Sequence, residues 1–130
     1  MNPGSVREEI RLLFDSFAKA FPRFKGEDVA RLYAVPYMAV QSNGEAEVHV
    51  SCESIRGYFQ SILNEYRERG CSGCRYSELS IYEMGSKAAV GTVSWELTGQ
   101  GDNVLSGWRE SYHLVREEGQ WKIRVSTDHA

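Results

Sequence analysis

The feature that most constrains this chain is a change of hydrophobic period at Gly70. Ahead of it, Ile55, Tyr58, Phe59, Ile62, Leu63 and Tyr66 stand at i, i+3, i+4, i+7, i+8 and i+11, the apolar stripe of an amphipathic helix. Ser51 or Ser54 can cap the start of that helix, and Gly70 suits the left-handed position after its end. Beyond Gly70 the apolar residues alternate in the segments Tyr76 to Met84, Ala88 to Leu97, Ser106 to Arg116 and Trp121 to Thr127. Short dividers, Gly85-Ser86, Gly99 to Asn103 and Glu118-Gly119-Gln120, separate them. Connections this short join antiparallel neighbours, so these strands form a meander.

The first part of the chain is also helical. Ser5-Val6-Arg7-Glu8 reads as a capping box, after which Val6, Ile10, Leu13, Phe14, Phe17 and Phe21 form one face until Pro22. A second helix is expected over Gly26 to Tyr33, ended by Pro36. Tyr37 to Val40, the turn Ser42-Asn43-Gly44 and Ala46 to Val50 read as a hairpin. Helices gathered against one antiparallel sheet make an α+β layer fold. The expected architecture is one domain over residues 1–130. It is cone-shaped, with three helices in the N-terminal half packed on a curved, mainly antiparallel sheet of about six strands that encloses a pocket.

Composition excludes some function classes. The net charge of -3 argues against a nucleic-acid footprint. The basic residues Arg7, Arg11, Lys19, Arg23 and Lys25 are interleaved with Glu8, Glu9, Asp15 and Glu27, as on a solvated helix face. No apolar run approaches the roughly 20 residues of a membrane span, and none has signal-peptide length. The three cysteines, Cys52, Cys71 and Cys74, cannot all pair within the chain, so the expected location is the cytoplasm. Cys71-Ser72-Gly73-Cys74 has redox or zinc spacing, but a second ligand pair is missing and the motif follows a helix instead of opening one. It reads as two free loop thiols, and no metal is expected. No phosphate loop, nucleophile elbow or two-histidine helix motif is present, so no cofactor is expected either.

The element order resembles the nuclear-transport-factor-2-like superfamily. So do Gly119-Gln120-Trp121-Lys122-Ile123 and, one strand earlier, Ser111-Tyr112-His113-Leu114. That group includes SnoaL-like cyclases, ketosteroid isomerases and many uncharacterised bacterial proteins. The likeness covers nearly the whole chain and rests on packing residues, so what it implies is the fold, together with a sheet that in this family often dimerises through its outer face. Isomerase-like members place an aspartate base where the second helix gives way to the first strand. Here that stretch is Tyr33-Ala34-Val35-Pro36-Tyr37, and Phe14 and Phe17 stand where a tyrosine oxyanion donor would be. The resemblance therefore implies no isomerase chemistry of that type. Cyclase-like members carry an acidic residue on a late strand, for which Glu96, Glu110 and Asp128 are the candidates here.

Strand alternation assigns faces. Trp121, Ile123 and Val125 belong to the core, and continuing by twos adds Thr127 and His129 at the pocket mouth. On the preceding strand Trp108, Glu110, Tyr112 and Leu114 turn inward, leaving Arg109 and His113 outside; Glu96 also faces outward. Glu110 and His129 are thus the candidate acid and base. Phe14, Phe17, Tyr37 and Tyr58, with Trp108, Tyr112 and Thr127, are the candidate ligand-pocket residues. The expected function is binding of a small hydrophobic or cyclic molecule, with cofactor-free acid–base catalysis of the cyclase, isomerase or dehydratase kind. The alternative is a homodimeric interaction module using an outer face with Arg109, His113, Lys122 and Arg124. No motif identifies a reaction.

Overall fold

The computed structural model describes residues 5–130. Helix α1 (Val6–Ala20) opens with the Ser5 hydroxyl accepting the Glu8 amide at 3.1 Å, and a single 3-10 turn (Phe21–Arg23) carries the chain past Pro22. Helix α2 (Gly26–Ala30) follows, then strands β1 (Tyr33–Val40) and β2 (Ala46–His49). Helix α3 (Cys52–Glu68) is capped by Ser51, whose hydroxyl accepts the Ser54 amide. The chain closes with β3 (Gly73–Met84), β4 (Ala88–Thr98), β5 (Val104–Glu117) and β6 (Gln120–Asp128).

The six strands form one sheet in the order β2-β1-β6-β5-β4-β3. All neighbours are antiparallel except β1 and β6, which run parallel. The α+β class, the three helices and the meander from β3 to β6 are as the periodicities predict. Aromatic rings fill the space between the layers. Phe14 meets Tyr112 at 5.2 Å and Phe17 meets Trp95 at 5.1 Å, while Tyr33 meets Phe59 at 4.5 Å. Gly91 has no side chain where the Phe14 ring comes closest, so α1 can lie close against β4.

Element boundaries differ from the sequence expectation where long-range pairing intervenes. The second helix ends at Ala30 instead of Tyr33. Tyr33 begins β1 because the Ile123 amide donates to Leu32 O at 2.9 Å and Tyr33 pairs with Ile123. Both thiols are free; Cys74 lies in β3 and not in a loop, whereas Cys71, in the connection before it, is buried with its thiol donating to Gly73 O. Burial pushes the Cys74 thiol up to about 12, opposite to what redox chemistry requires.

On the outer face, Arg109 donates to Ser94 Oγ at 2.8 Å, Lys122 to Arg31 O at 2.6 Å and Arg124 to the Glu117 carboxylate at 2.7 Å. These cations are engaged within their own chain. Among the described residues, no helix is long and apolar enough to cross a membrane.

Helices α2 and α3 meet at Gly26, whose amide donates to Gln60 Oε1 at 2.7 Å while Gln60 Nε2 donates to Phe24 O at 3.0 Å. A Cβ at Gly26 would press on the α3 backbone, 2.9 Å from Gln60 N, whereas one at Gly57 meets nothing within 4 Å. Gly26→Ala is therefore expected to destabilise the protein by about 1–3 kcal/mol through overpacking. Gly57→Ala, in the interior of α3, should stabilise it by about 0.5–1 kcal/mol. Urea denaturation of the two variants checks both signs.

Candidate functional site

Between α3 and the sheet lies a cavity of about 180 Å³. Phe59 and Leu63 from α3, Phe17 from α1 and Trp95 from β4 supply its apolar wall. The polar groups come from the sheet: Tyr37 on β1, Glu110 and Tyr112 on β5, and Ser126 and Asp128 on β6. Tyr58 and Gln41 also line the cavity. The cavity is thus aromatic on the helix side and polar along one band of the sheet.

Phe17, Tyr37, Tyr58, Trp108, Glu110 and Tyr112 line this space. Phe14 is buried one layer away, packed on Tyr76, Trp95 and Tyr112. Thr127 and His129 do not reach it. Leu114 pairs with Ile123 and His113 with Val125, so Arg124 is an extra residue in β6, a bulge. A bulge shifts the alternation by one. Trp121 and Ile123 face the core before it. After it Ser126 and Asp128 face the cavity, and Val125, Thr127 and His129 face out. His129 Nε2 lies 2.8 Å from Ser111 Oγ on that outer face, and Glu96 pairs there with Arg75 at 2.7 Å. On β6 the cavity residues are therefore Ser126 and Asp128, one position away from the Thr127 and His129 that uninterrupted parity predicts. The signal for the bulge lies in the partner strand's register, which β6 alone does not carry.

Two carboxyl groups meet at the wall. Glu110 and Asp128 are direct partners across β5 and β6. Glu110 accepts the Trp108 indole N–H at 2.8 Å, and Tyr112 and Asp128 line the cavity beside it. Burial raises the Glu110 carboxyl to about 8, and the neighbouring Asp128 charge pushes the same way. Asp128 is also raised by burial, with the nearby His129 opposing the rise. The pair therefore keeps a proton to higher pH than an isolated carboxylate would, as expected where like charges cannot both ionise. Beside it, Tyr112 Oη accepts Trp95 Nε1 at 2.6 Å, and Tyr37 Oη lies 2.5 Å from Ser126 Oγ. Burial raises both phenols, so they remain neutral hydrogen-bonding groups. Chemically, the arrangement offers one acid, one base and two hydroxyl groups to a molecule surrounded by aromatic rings.

The pair makes stability depend on pH. The folded protein keeps a proton on Glu110 that the unfolded chain releases near the ordinary carboxylate value. The contribution of this proton to stability is therefore full below about pH 4.5, falls as pH rises towards 8 and levels off above. Glu110→Gln keeps the shape without the titration. Urea midpoints measured across this range should decline for the wild type and stay nearly flat for the variant. An equal slope in both would show that another group is responsible.

Comparison with known proteins agrees with the fold. No curated protein matches this sequence. Among solved structures, a cystatin-like protein of unknown function from Nostoc punctiforme superposes with a TM-score of 0.77 at 16% identity, covering 96% of this chain and 92% of its own. An NTF-2-like protein of unknown function from Shewanella oneidensis gives 0.76 at 14% identity, covering 97% and 100%. Aln2 from a Streptomyces species gives 0.77 at 12% identity, covering 97% and 92%. Likeness at such identity speaks for the fold alone. The family model described as NTF2-like protein (DUF6841) matches residues 7–130, and the chain belongs to that family.

Proposed function

We propose that this protein binds a small cyclic molecule carrying a carbonyl or hydroxyl group in the cavity beneath α3, and that the Glu110–Asp128 pair does acid–base work on it. The observation that carries this reading is the carboxyl pair itself. A shared proton in an aromatic cavity costs stability above neutral pH, and a purely structural wall gains nothing from it. The cavity, at about 180 Å³, is comparable with the apolar cavities of about 150 Å³ that take up benzene, so the ligand is of single-ring size. Phe17, Phe59 and Trp95 offer faces for the ring, and Tyr37, Tyr112 and Glu110 offer hydrogen bonds to its polar group. Protonated Glu110 is the candidate acid and ionised Asp128 the candidate base; His129, outside the cavity, is replaced in that role.

A thermal-shift panel of single-ring ketones, phenols and lactones tests this. At least one compound should raise the wild-type melting temperature, and Glu110→Gln or Tyr37→Phe should weaken its binding about tenfold through loss of one buried hydrogen bond. A panel without any stabilising compound, or equal binding by both variants, sinks the proposal.

One observation also favours homodimer formation through the outer sheet face. Val48, Met38, Val125, His113, Val90 and Tyr82 are successive register partners across all six strands, and Val48 and Tyr82 are 58% and 70% exposed. A mainly apolar row of this length is a surface suited to burial against a second copy. Sedimentation velocity at micromolar concentration should give a dimer for the wild type and a monomer for Tyr82→Glu combined with Val48→Lys.

A further inference from the structure

On the other side of Tyr58 from the cavity, three side chains form a second chemical constellation. His49, the last residue of β2, is 5% exposed and packs against the rings of Tyr58 at 4.6 Å and Tyr37 at 6.0 Å. Its Nδ1 is 2.7 Å from Ser54 Oγ, and its Nε2 is 3.0 Å from Glu47 Oε2. That Nε2 is buried and makes no aligned hydrogen bond. Ser54 is exposed in the first turn of α3, beside an open groove that also includes Glu53, Ile62 and one edge of Tyr58.

We propose that Ser54, His49 and Glu47 form a second reactive site, in which Ser54 is a nucleophile toward small neutral or cationic carboxylic esters. Glu47 beside Nε2 favours the tautomer with its proton there. The Nδ1 lone pair then faces the Ser54 hydroxyl, as a general base must. Tyr37 and Tyr58 hold the ring plane, and the Ser51 hydroxyl holds the Ser54 amide at 3.1 Å. The amides of Cys52 and Glu53 open α3, where no carbonyl one turn earlier is available to them, so the helix start brings donors and partial positive charge to the same turn as the nucleophile. Glu47 and Glu53 disfavour anionic substrates, and Ile62 with the Tyr58 ring suits a short acyl group.

The step balances with water as co-reactant. Ser54 Oγ attacks the ester carbonyl carbon while its proton passes to His49 Nδ1. The tetrahedral oxyanion collapses, the carbon–oxygen bond to the alcohol breaks and the alcohol leaves with that proton, giving acyl-Ser54. Water, deprotonated by the same nitrogen, releases the acid. In this scheme Ser54 and His49 are the catalytic residues and Glu47 is a positioning residue.

A fluorophosphonate probe tests the nucleophile directly, because its phosphorus–fluorine bond breaks as the Ser54 Oγ–phosphorus bond forms. The wild type should be labelled at Ser54 by peptide mapping. His49→Gln should slow labelling on the order of a hundredfold, the low end of a general base's contribution. Glu47→Asp should keep more of the rate than Glu47→Gln while the two melt alike, which a structural role for the carboxylate would not produce. Ser54→Ala abolishes labelling. Ser54→Cys keeps a side chain against His49 and should take iodoacetamide faster than the exposed Cys52, so the proposal remains testable if the alanine variant folds poorly. Labelling at another residue, wild-type labelling no faster than in heat-denatured protein, or a Ser54→Cys thiol no more reactive than Cys52 overturns the proposal.

Discussion

The parallel pairing of β1 with β6 joins two halves of the chain that local contacts cannot join. The antiparallel strands from β3 to β6 are linked by short turns, and the β1–β2 hairpin closes on itself. Among the described residues, the β1–β6 pairing alone joins the hairpin to the meander within the sheet, through Tyr33 against Ile123, Met38 against Val125 and Val40 against Thr127. A pairing between residues this far apart in sequence has a large loop-closure cost, so it must be supported by burial. Tyr33 and Tyr37 supply that burial on the inner side, packed at a tilt against Phe59 of α3. The cavity is a consequence of the same seam. It forms where α3 crosses the β1–β6–β5 strip, with side chains from all three strands reaching into it.

The irregularity at Arg124 sets the chemistry of that seam. Without the extra residue, the end of β6 would turn Thr127 inward, and Asp128 would lie outside. With it, Asp128 faces Glu110 across the strand pair inside an aromatic enclosure. A carboxylate there loses its water, and two of them repel, so one proton stays bound to the pair. Beside it, the Trp108 indole donates to Glu110 and the Trp95 indole to Tyr112, so the buried polar atoms at this wall have partners. The His49 cluster follows a related logic on the opposite side of Tyr58: a buried polar ring is kept by partners beside both nitrogens. The two sites share that tyrosine as a wall.

Legibility in the sequence follows the range of the forces involved. The stripe from Ile55 to Tyr66 and the Ser51 cap are local, and α3 forms where they place it. Glu110 is inward because its strand alternates without interruption from Trp108 to Leu114, so parity carries through. Parity fails on β6 because a bulge is a mismatch between two strands and neither strand encodes it alone. Tyr33 reads as the end of a helix by its spacing from Val29 and Leu32. It becomes a strand residue because it pairs with Ile123, a partner near the opposite end of the chain. Cys74 looks like a loop thiol for the same reason: β3 is extended by pairing with Leu97.

By itself the sequence determined the element types, the meander, the aromatic interior and the inward position of Glu110, because each follows from periodicity within a single segment. Only the tertiary structure decided which residue Glu110 meets. It also decided that His129 lies outside the cavity, and that Ser54, His49 and Glu47 come together. Those outcomes depend on strand register and helix placement, which are settled by contacts between distant segments and leave no period in the chain.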